Sequence, residues 1–407
     1  MQRLCHATAV STLPPPDPAA APGYFSRGNP LTGDPASVIT ADHMNGLTEE
    51  MIGVITGAGL TPDIADNTQL LQAVLLLGNR SNRLINSQMN ATPDAANPAP
   101  AGTTGSRYTA DIWRVQSAGT TYASDTYAFT KGQTEVPANP KRYLRVTTAS
   151  VLGGANYCRV TQPLEDVELY SGKTVTLLFW AKASVAGTPA TVCFEQYFGP
   201  TGSASVPGIG KQKITLSTTW AQYVVTADIP SVSGKTINAS TNTYLDAQLW
   251  VDAGADFSGI TDTLGQQSVT VEITNATLVF GSVPLLPDIR ALWLDNQLRR
   301  RYIQVGAYSA NSPSSSGFWM AQTVGASQRQ IFPTVYLRDS MRAAPTVTVR
   351  SPATAAAVPR NVSIDADFSL TQVEMTDPIG FVISAVTPVG SIAGHLVGFH
   401  WLADARF

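Results

Sequence analysis

The stretch "TYLDAQLWVDAG", residues 243–254, places chemically useful side chains at strand spacing. In an extended chain Leu245, Ala247, Leu249 and Val251 share one face, while Tyr244, Asp246, Gln248, Trp250 and Asp252 share the other. An aromatic ring beside amides and carboxylates on one sheet face suits sugar recognition. The ring offers a flat apolar platform to C–H groups, and the polar groups answer hydroxyls. The same logic pairs Trp180 with Lys182 and Tyr197 with Glu195 on their own strands. The candidate ligand-binding residues are therefore Tyr244, Gln248, Trp250, Trp180 and Tyr197. The competing reading is that Trp180 and Trp250 plug a β-sandwich core, and alternation leaves both readings open.

Catalytic chemistry has less to work with. The four histidines, His6, His43, His395 and His400, lie in neither a G-x-S-x-G nor a Cys-His context. His395 and His400 flank a terminal strand and are expected to serve packing or an interface. Glycoside hydrolysis needs two carboxylates across a cleft. Apart from Glu165/Asp166/Glu168 and Asp365/Asp367, the acidic residues are scattered. No catalytic residue is assigned, and the chain is expected not to be an enzyme. The "DAD" at 365–367 has ligands for calcium but is expected to be a solvated turn; neither a metal nor a cofactor is expected. Cys158 and Cys193 sit in apolar strand-like text and are expected to be buried free thiols, with Cys5 far from both.

Bulk properties exclude some partners. A net charge of −3, with only 14% charged residues, gives no field to draw nucleic acid or anionic membranes. The longest apolar run, Leu70 to Leu77, is interrupted by Gln72 and is too short to span a bilayer. The first residues lack the apolar core of a signal peptide, so synthesis in a cytoplasm and a soluble product are expected. With 32 glycines and 27 prolines, the composition is that of turn-rich β-domains.

The elements that must position these residues follow from periodicity. Residues 1–39 are broken by proline and glycine. Met44, Leu47, Met51, Ile52 and Ile55 then mark a helix face with Thr40 or Asp42 as N-cap, closed by Gly57 and Gly59. Thr61-Pro62 has the form of a helix start, and a further helix is expected from about Thr68 to Gln88. These helices bury little alone and are expected to pack on a partner chain. Residues 1–89 thus form an N-terminal region and 90–106 a linker. Period-2 text over 107–283 predicts a β-sandwich or jelly roll, and 307–407 a second, smaller β-sandwich. Between them, at 284–306, "ALWLDNQLRRRYIQVG" carries Leu294, Leu298 and Tyr302 as one helical stripe. Its arginines 299–301 are each turned by about 100° and fan outward instead of making a basic face. A connector helix is expected there, without nucleic-acid binding.

Three stretches carry a resemblance. Arg301-Tyr302, then Met341-Arg342-Ala343 with Pro345, then Trp401, Ala403, Asp404 and Ala405, resemble the C-terminal part of bacteriophage tail-fibre and receptor-binding proteins. That family commonly has Cys-Gln before the arginine and an aromatic after the tyrosine, where this chain has Arg299, Arg300 and Ile303. "GYFSRGNPLTGD", followed by Asn45, Glu49 and Glu50 and by Gly59 to Ala73, is similar to the opening of many tail-fibre proteins. "LYSGKTVTLLFWAKAS" and "TTWAQYVVTADIP" resemble the carbohydrate-binding-module-like jelly roll of tail and baseplate proteins. The resemblance implies a homotrimeric virion component, assembled in the host cytoplasm. Its N-terminal region would attach to other tail or baseplate proteins, and its β-domains would meet a bacterial surface glycan or receptor without inserting in the membrane. A purely structural tail connector and a glycan-degrading tail enzyme are the alternatives it leaves.

Overall fold

The computed structural model describes residues 3–4, 6–15, 23–78, 81–90, 98–238, 242–284, 290–306, 319–354 and 356–407. Cys5, the serine-rich stretch 309–318 and residues 91–97 lie outside them. The protein is mainly β, with sandwich-like sheets. It divides into two compact units: residues 1–81 with 280–283, and residues 82–279 with 284–407.

In the first unit, α1 (Ala41–Gly57) starts as its sequence asks, since the Thr40 hydroxyl accepts the His43 N–H. α2 (Gln69–Gly78) is shorter than expected, and residues 61–68 are not helical. The Gln69 side chain instead holds the preceding loop, donating to the Thr61 carbonyl and accepting from the Asp63 N–H. Leu71, Val74, Leu75 and Leu76 of α2 are exposed. Among the described residues no helix is long and apolar enough to cross a membrane.

Residues 82–90 correct the sequence reading twice. They are neither helix nor part of the N-terminal unit. Asn82 donates to the Ala276 carbonyl and accepts from the N–H groups of Leu84 and Leu278, and Asn86 adopts a positive φ of 56°. Such short amide side chains compete with a helical ladder. Gln162 grips both backbone groups of Ile85, while Leu84 and Met89 are buried.

The sandwich contains β1 (Ala99–Ala110), β2 (Trp113–Ala128), β3 (Arg142–Ala149), β4 (Tyr157–Glu165) and β5 (Thr174–Ala183). It continues with β6 (Thr188–Tyr197), β7 (Val206–Leu216), β8 (Ala221–Asp228), β9 (Tyr244–Ala253) and β10 (Thr270–Phe280), with the short helix α3 (Ser258–Thr261) before the last. Thus residues 99–106, read in sequence as linker, are strand. The ladder runs β7-β6-β9-β4-β2-β3-β10-β5-β8, with β1 also on β2. β2 pairs with β4 through residues 114–118 and with β3 through 121–128, so one strand serves both layers. It turns at Gly119, whose φ is +66° and where a Cβ would collide with Asn156. Val160, Ala247 and Leu249 of one layer face Leu177, Phe179 and Ile273 of the other across the core. Each such fully buried large apolar side chain contributes about 1.5–3 kcal/mol.

The expected connector helix is real but short: α4 (Leu292–Arg299) ends before Tyr302, and residues 303–305 are strand. The arginines do fan outward, each to its own carboxylate. Arg299 meets Asp111 at 3.0 Å, Arg300 meets Asp339 at 3.3 Å and Arg301 meets Glu165 at 2.6 Å.

The distal strands are β11 (Ile303–Val305), β12 (Trp319–Gln322), β13 (Arg329–Ile331), β14 (Val335–Tyr336) and β15 (Thr346–Arg350). They continue with β16 (Arg360–Asn361), β17 (Ala366–Asp367), β18 (Leu370–Asp377), β19 (Gly380–Val386) and β20 (Leu396–Asp404). β20 gathers β11, β12, β15 and β16, while β19 gathers β13, β14 and β18. Phe332, Phe368, Phe381, Ile383 and Phe399 fill the space between. Asp365 and Asp367 both grip Arg360.

Asp111 is buried, and burial outweighs Arg299 in pushing its carboxyl up to about 7. Between an unfolded value of about 3.9 and that value, the folded chain keeps a proton that the unfolded chain has lost. Its contribution to stability therefore falls as pH rises through this window and is level above it. Melting curves of Asp111→Asn and wild type should diverge in the variant's favour as pH rises across the window. A difference that does not vary with pH would show Asp111 ionised throughout.

Candidate functional site

Strand register assembles one outer face of the sandwich. Tyr197, Glu195 and Cys193 of β6 lie opposite Tyr244, Asp246 and Gln248 of β9. On the other side of β9, Thr161 of β4 is opposite Gln248 and Arg159 is opposite Trp250. Gln116 of β2 pairs with Arg159. Four of the five residues singled out in the sequence, Tyr244, Gln248, Trp250 and Tyr197, therefore share a face. Trp180 does not: it stands on β5 opposite Gln222, in the other layer. Asp252 also leaves the face. A register shift between Cys158 and Arg159 interrupts the alternation, and the Asp252 carboxylate is buried, accepting from Thr120, Ser150 and the Gln267 N–H.

The floor of the face is a closed polar network. Trp250 and Gln248 are each only 1% exposed. The Trp250 indole N–H donates to Gln248 Oε1 at 2.9 Å. Gln248 Nε2 donates to Glu195 at 2.9 Å and to Asp246 at 3.0 Å, and Asp246 accepts from Thr161 at 2.8 Å. Burial raises the Asp246 carboxyl, against the pull of Arg114 and Arg159. Trp250 is roofed by Tyr157, Phe257, Ile260 and Leu264, with Cys193 beside it. Its ring therefore offers no open platform, and Gln248 has no vacant amide hydrogen. They are the foundation of the face, not its contact layer. Burial in this cluster also pushes the Cys193 thiol up to about 12, so it is inert; Cys158 is likewise free and buried.

The accessible layer sits above that floor. The Arg159 and Glu195 side chains are 16% and 20% exposed and 3.8 Å apart. Arg159 Nε donates to Gln116 at 3.1 Å, and its guanidinium lies 4.8 Å from the Trp250 ring centre. Tyr197 and Tyr244, both half-buried, stand side by side with ring centres 4.9 Å apart. Phe407 meets Tyr244 edge-on at 5.0 Å, closing that end. Burial raises the Tyr244 hydroxyl to about 12, leaving it a neutral donor and acceptor at ordinary pH. The result is a rim of tyrosines around a cation, a carboxylate and an amide. These groups can stack on a sugar ring and exchange hydrogen bonds with its hydroxyls. Arg159, Gln116 and Tyr157 went unnoticed in the sequence, although Tyr157, Arg159 and Thr161 alternate with Cys158 and Val160 as a one-faced strand would.

No protein-family model matches the sequence, and no curated protein matches it. Among solved structures, a family 11 carbohydrate-binding module from Clostridium thermocellum is 11% identical, with a TM-score of 0.28, covering 43% of this chain and 91% of that one. A CBM22 xylan-binding domain from Paenibacillus barcinonensis is 12% identical, with a TM-score of 0.27, covering 50% and 97%. The enzymatically active domain of tailspike protein 4 of bacteriophage CBA120 is 16% identical, with a TM-score of 0.25, covering 42% of this chain but 19% of that one. Scores of this size carry no weight for function.

Burial makes the two aromatic positions separable by mutation. Trp250→Ala should cost about 3–5 kcal/mol of unfolding free energy. Tyr197→Ala, at a half-buried rim, should cost about 1 kcal/mol. Urea denaturation followed by fluorescence measures both, and equal costs would place Tyr197 in the core with Trp250.

Proposed function

We propose that this chain is a non-enzymatic tail-fibre or tail-tip protein that recognises a host-surface glycan through the outer face of β6, β9, β4 and β2. The observation that carries the glycan reading is the rim itself. Half-buried Tyr157, Tyr197 and Tyr244 surround Arg159, Glu195 and Gln116; the buried Gln248 network holds Glu195, and Arg159 rests over Trp250 and bonds Gln116. Preorganised polar groups between flat rings favour a neutral, hydroxyl-rich ligand over a point charge, because Arg159 and Glu195 offset each other. Tyr197→Ala should weaken glycan binding about five- to tenfold while the chain stays folded. Titration calorimetry against oligosaccharides from the host surface measures this, and undiminished binding would move the contact elsewhere.

Assembly on a virion is supported from the opposite end. The apolar residues of α2 are exposed in the single chain, which is the state that oligomerisation or docking relieves. The tail-fibre motifs also pack on one another. Met341 is buried against Ala403 and Ala405, and Arg342 Nε donates to the Ala405 carbonyl at 2.6 Å. Light scattering is expected to return a trimer of the 43.1 kDa chain, and a monomer at micromolar concentration would count against it. Removing residues 1–80 should leave a folded, glycan-binding fragment that no longer joins virions. Removing residues 1–89 should also destabilise the sandwich, because Asn82 to Met89 are built into it. Equal melting temperatures for the two fragments would contradict that role.

A further inference from the structure

The opposite outer face of the sandwich, on β3, β10 and β5, holds an open hollow of about 420 Å³ that the glycan reading does not use. Arg145 is in register with Glu272 and Thr147 with Thr270, while Lys182 enters from β5. Glu272 is nearly buried. Arg145 reaches its Oε1 at 2.6 Å and Lys182 its Oε2 at 3.2 Å. Among the residues lining the hollow, two cations on one carboxylate leave a net charge of +1; Asp125, opposite Arg145 on β2, stands outside that lining. Both cations remain about a third exposed, at 36% and 30%. Beside Arg145, at the margin of the hollow, lies an aromatic pair. Tyr127 and Tyr143 stack with centres 5.7 Å apart at 21°, and the Arg145 guanidinium lies 4.2 Å from the Tyr127 ring centre. Tyr127 is exposed, and the Thr147 and Thr270 hydroxyls, 2.9 Å apart, line the hollow.

We infer that this hollow is a second saccharide site, specific for an acidic sugar whose carboxylate sits between Arg145 and Lys182 while its ring lies against the exposed edge of Tyr127. A neutral sugar would leave the surplus positive charge unanswered. Nucleic acid would need a run of cations along a backbone, and the hollow has two. A carboxylate completes the alternation of charge that Glu272 begins, and the hydroxyls of Thr147 and Thr270 serve the ring oxygens.

The test uses the full chain and two probes, a trigalacturonate and the corresponding neutral galactose trisaccharide, in titration calorimetry with NMR shift mapping. The trigalacturonate is expected to bind at least about tenfold more tightly than the neutral probe and to lose affinity as salt rises. Lys182→Gln should weaken it about tenfold, and Lys182→Arg should restore it. Tyr127→Ala, at an exposed position, should weaken it too, so the outcome does not hang on one variant's folding. Equal affinity for the two probes, or no binding at millimolar trigalacturonate, would overturn the proposal. So would binding that survives both Lys182→Gln and Tyr127→Ala but is lost in Tyr197→Ala. That last pattern would place the acidic sugar on the β9 face and leave the first reading intact.

Discussion

Three consecutive arginines, each committed to a different carboxylate, set the alignment of the sandwich and the distal module within the second compact unit. Arg299 reaches Asp111 at the start of β2, Arg301 reaches Glu165 at the end of β4, and Arg300 reaches Asp339 in the distal module. The tight turn that closes α4 after Arg299 lets neighbours in sequence point at separate modules. Around it, Tyr302 is buried with Ile303, Leu402 and Ile112, so an apolar contact closes what the ion pairs align. Exposed pairs such as Arg300–Asp339 contribute little by themselves. The buried Arg299–Asp111 pair matters more for geometry than for net stability, since burying the carboxylate opposes its ionisation.

The sandwich shows how a buried polar network can serve a surface. Gln248, Asp246 and Thr161 satisfy one another and the Trp250 indole, so none is left to bind outward. Their effect is to fix Glu195 and, through the stacked guanidinium of Arg159, the polar centre of the face. A fully satisfied network of this kind rigidifies what sits above it.

Strand alternation made much of this legible. The text of residues 243–254 already separated Leu245, Ala247 and Leu249 from Tyr244, Gln248 and Trp250, and the structure keeps that division. What alternation cannot express is depth and partnership. It sets Trp250 outward but not beneath Phe257 and Ile260, which arrive from α3 and the turn that precedes it. It places Trp180 on one side of β5 without saying which layer β5 joins. The displaced Asp252 depends on a bulge, which has no mark in composition. Helical spacing misled at Leu84 and Ile85, where Asn82 and Asn86 turn their amides on the backbone. Periodicity does not carry function: motif resemblance alone points to a tail fibre, while residue chemistry points to the candidate sugar face.

Phe407 touches three things at once. Its ring meets Tyr244 on the candidate face, its main-chain oxygen accepts from Tyr108 at 2.7 Å, and Arg342 of the distal module lies 3.7 Å from its ring centre. The edge of the tyrosine rim is therefore also a seat for the distal module. One side chain thus belongs to both, so the candidate face and the distal module cannot be repacked independently at this point.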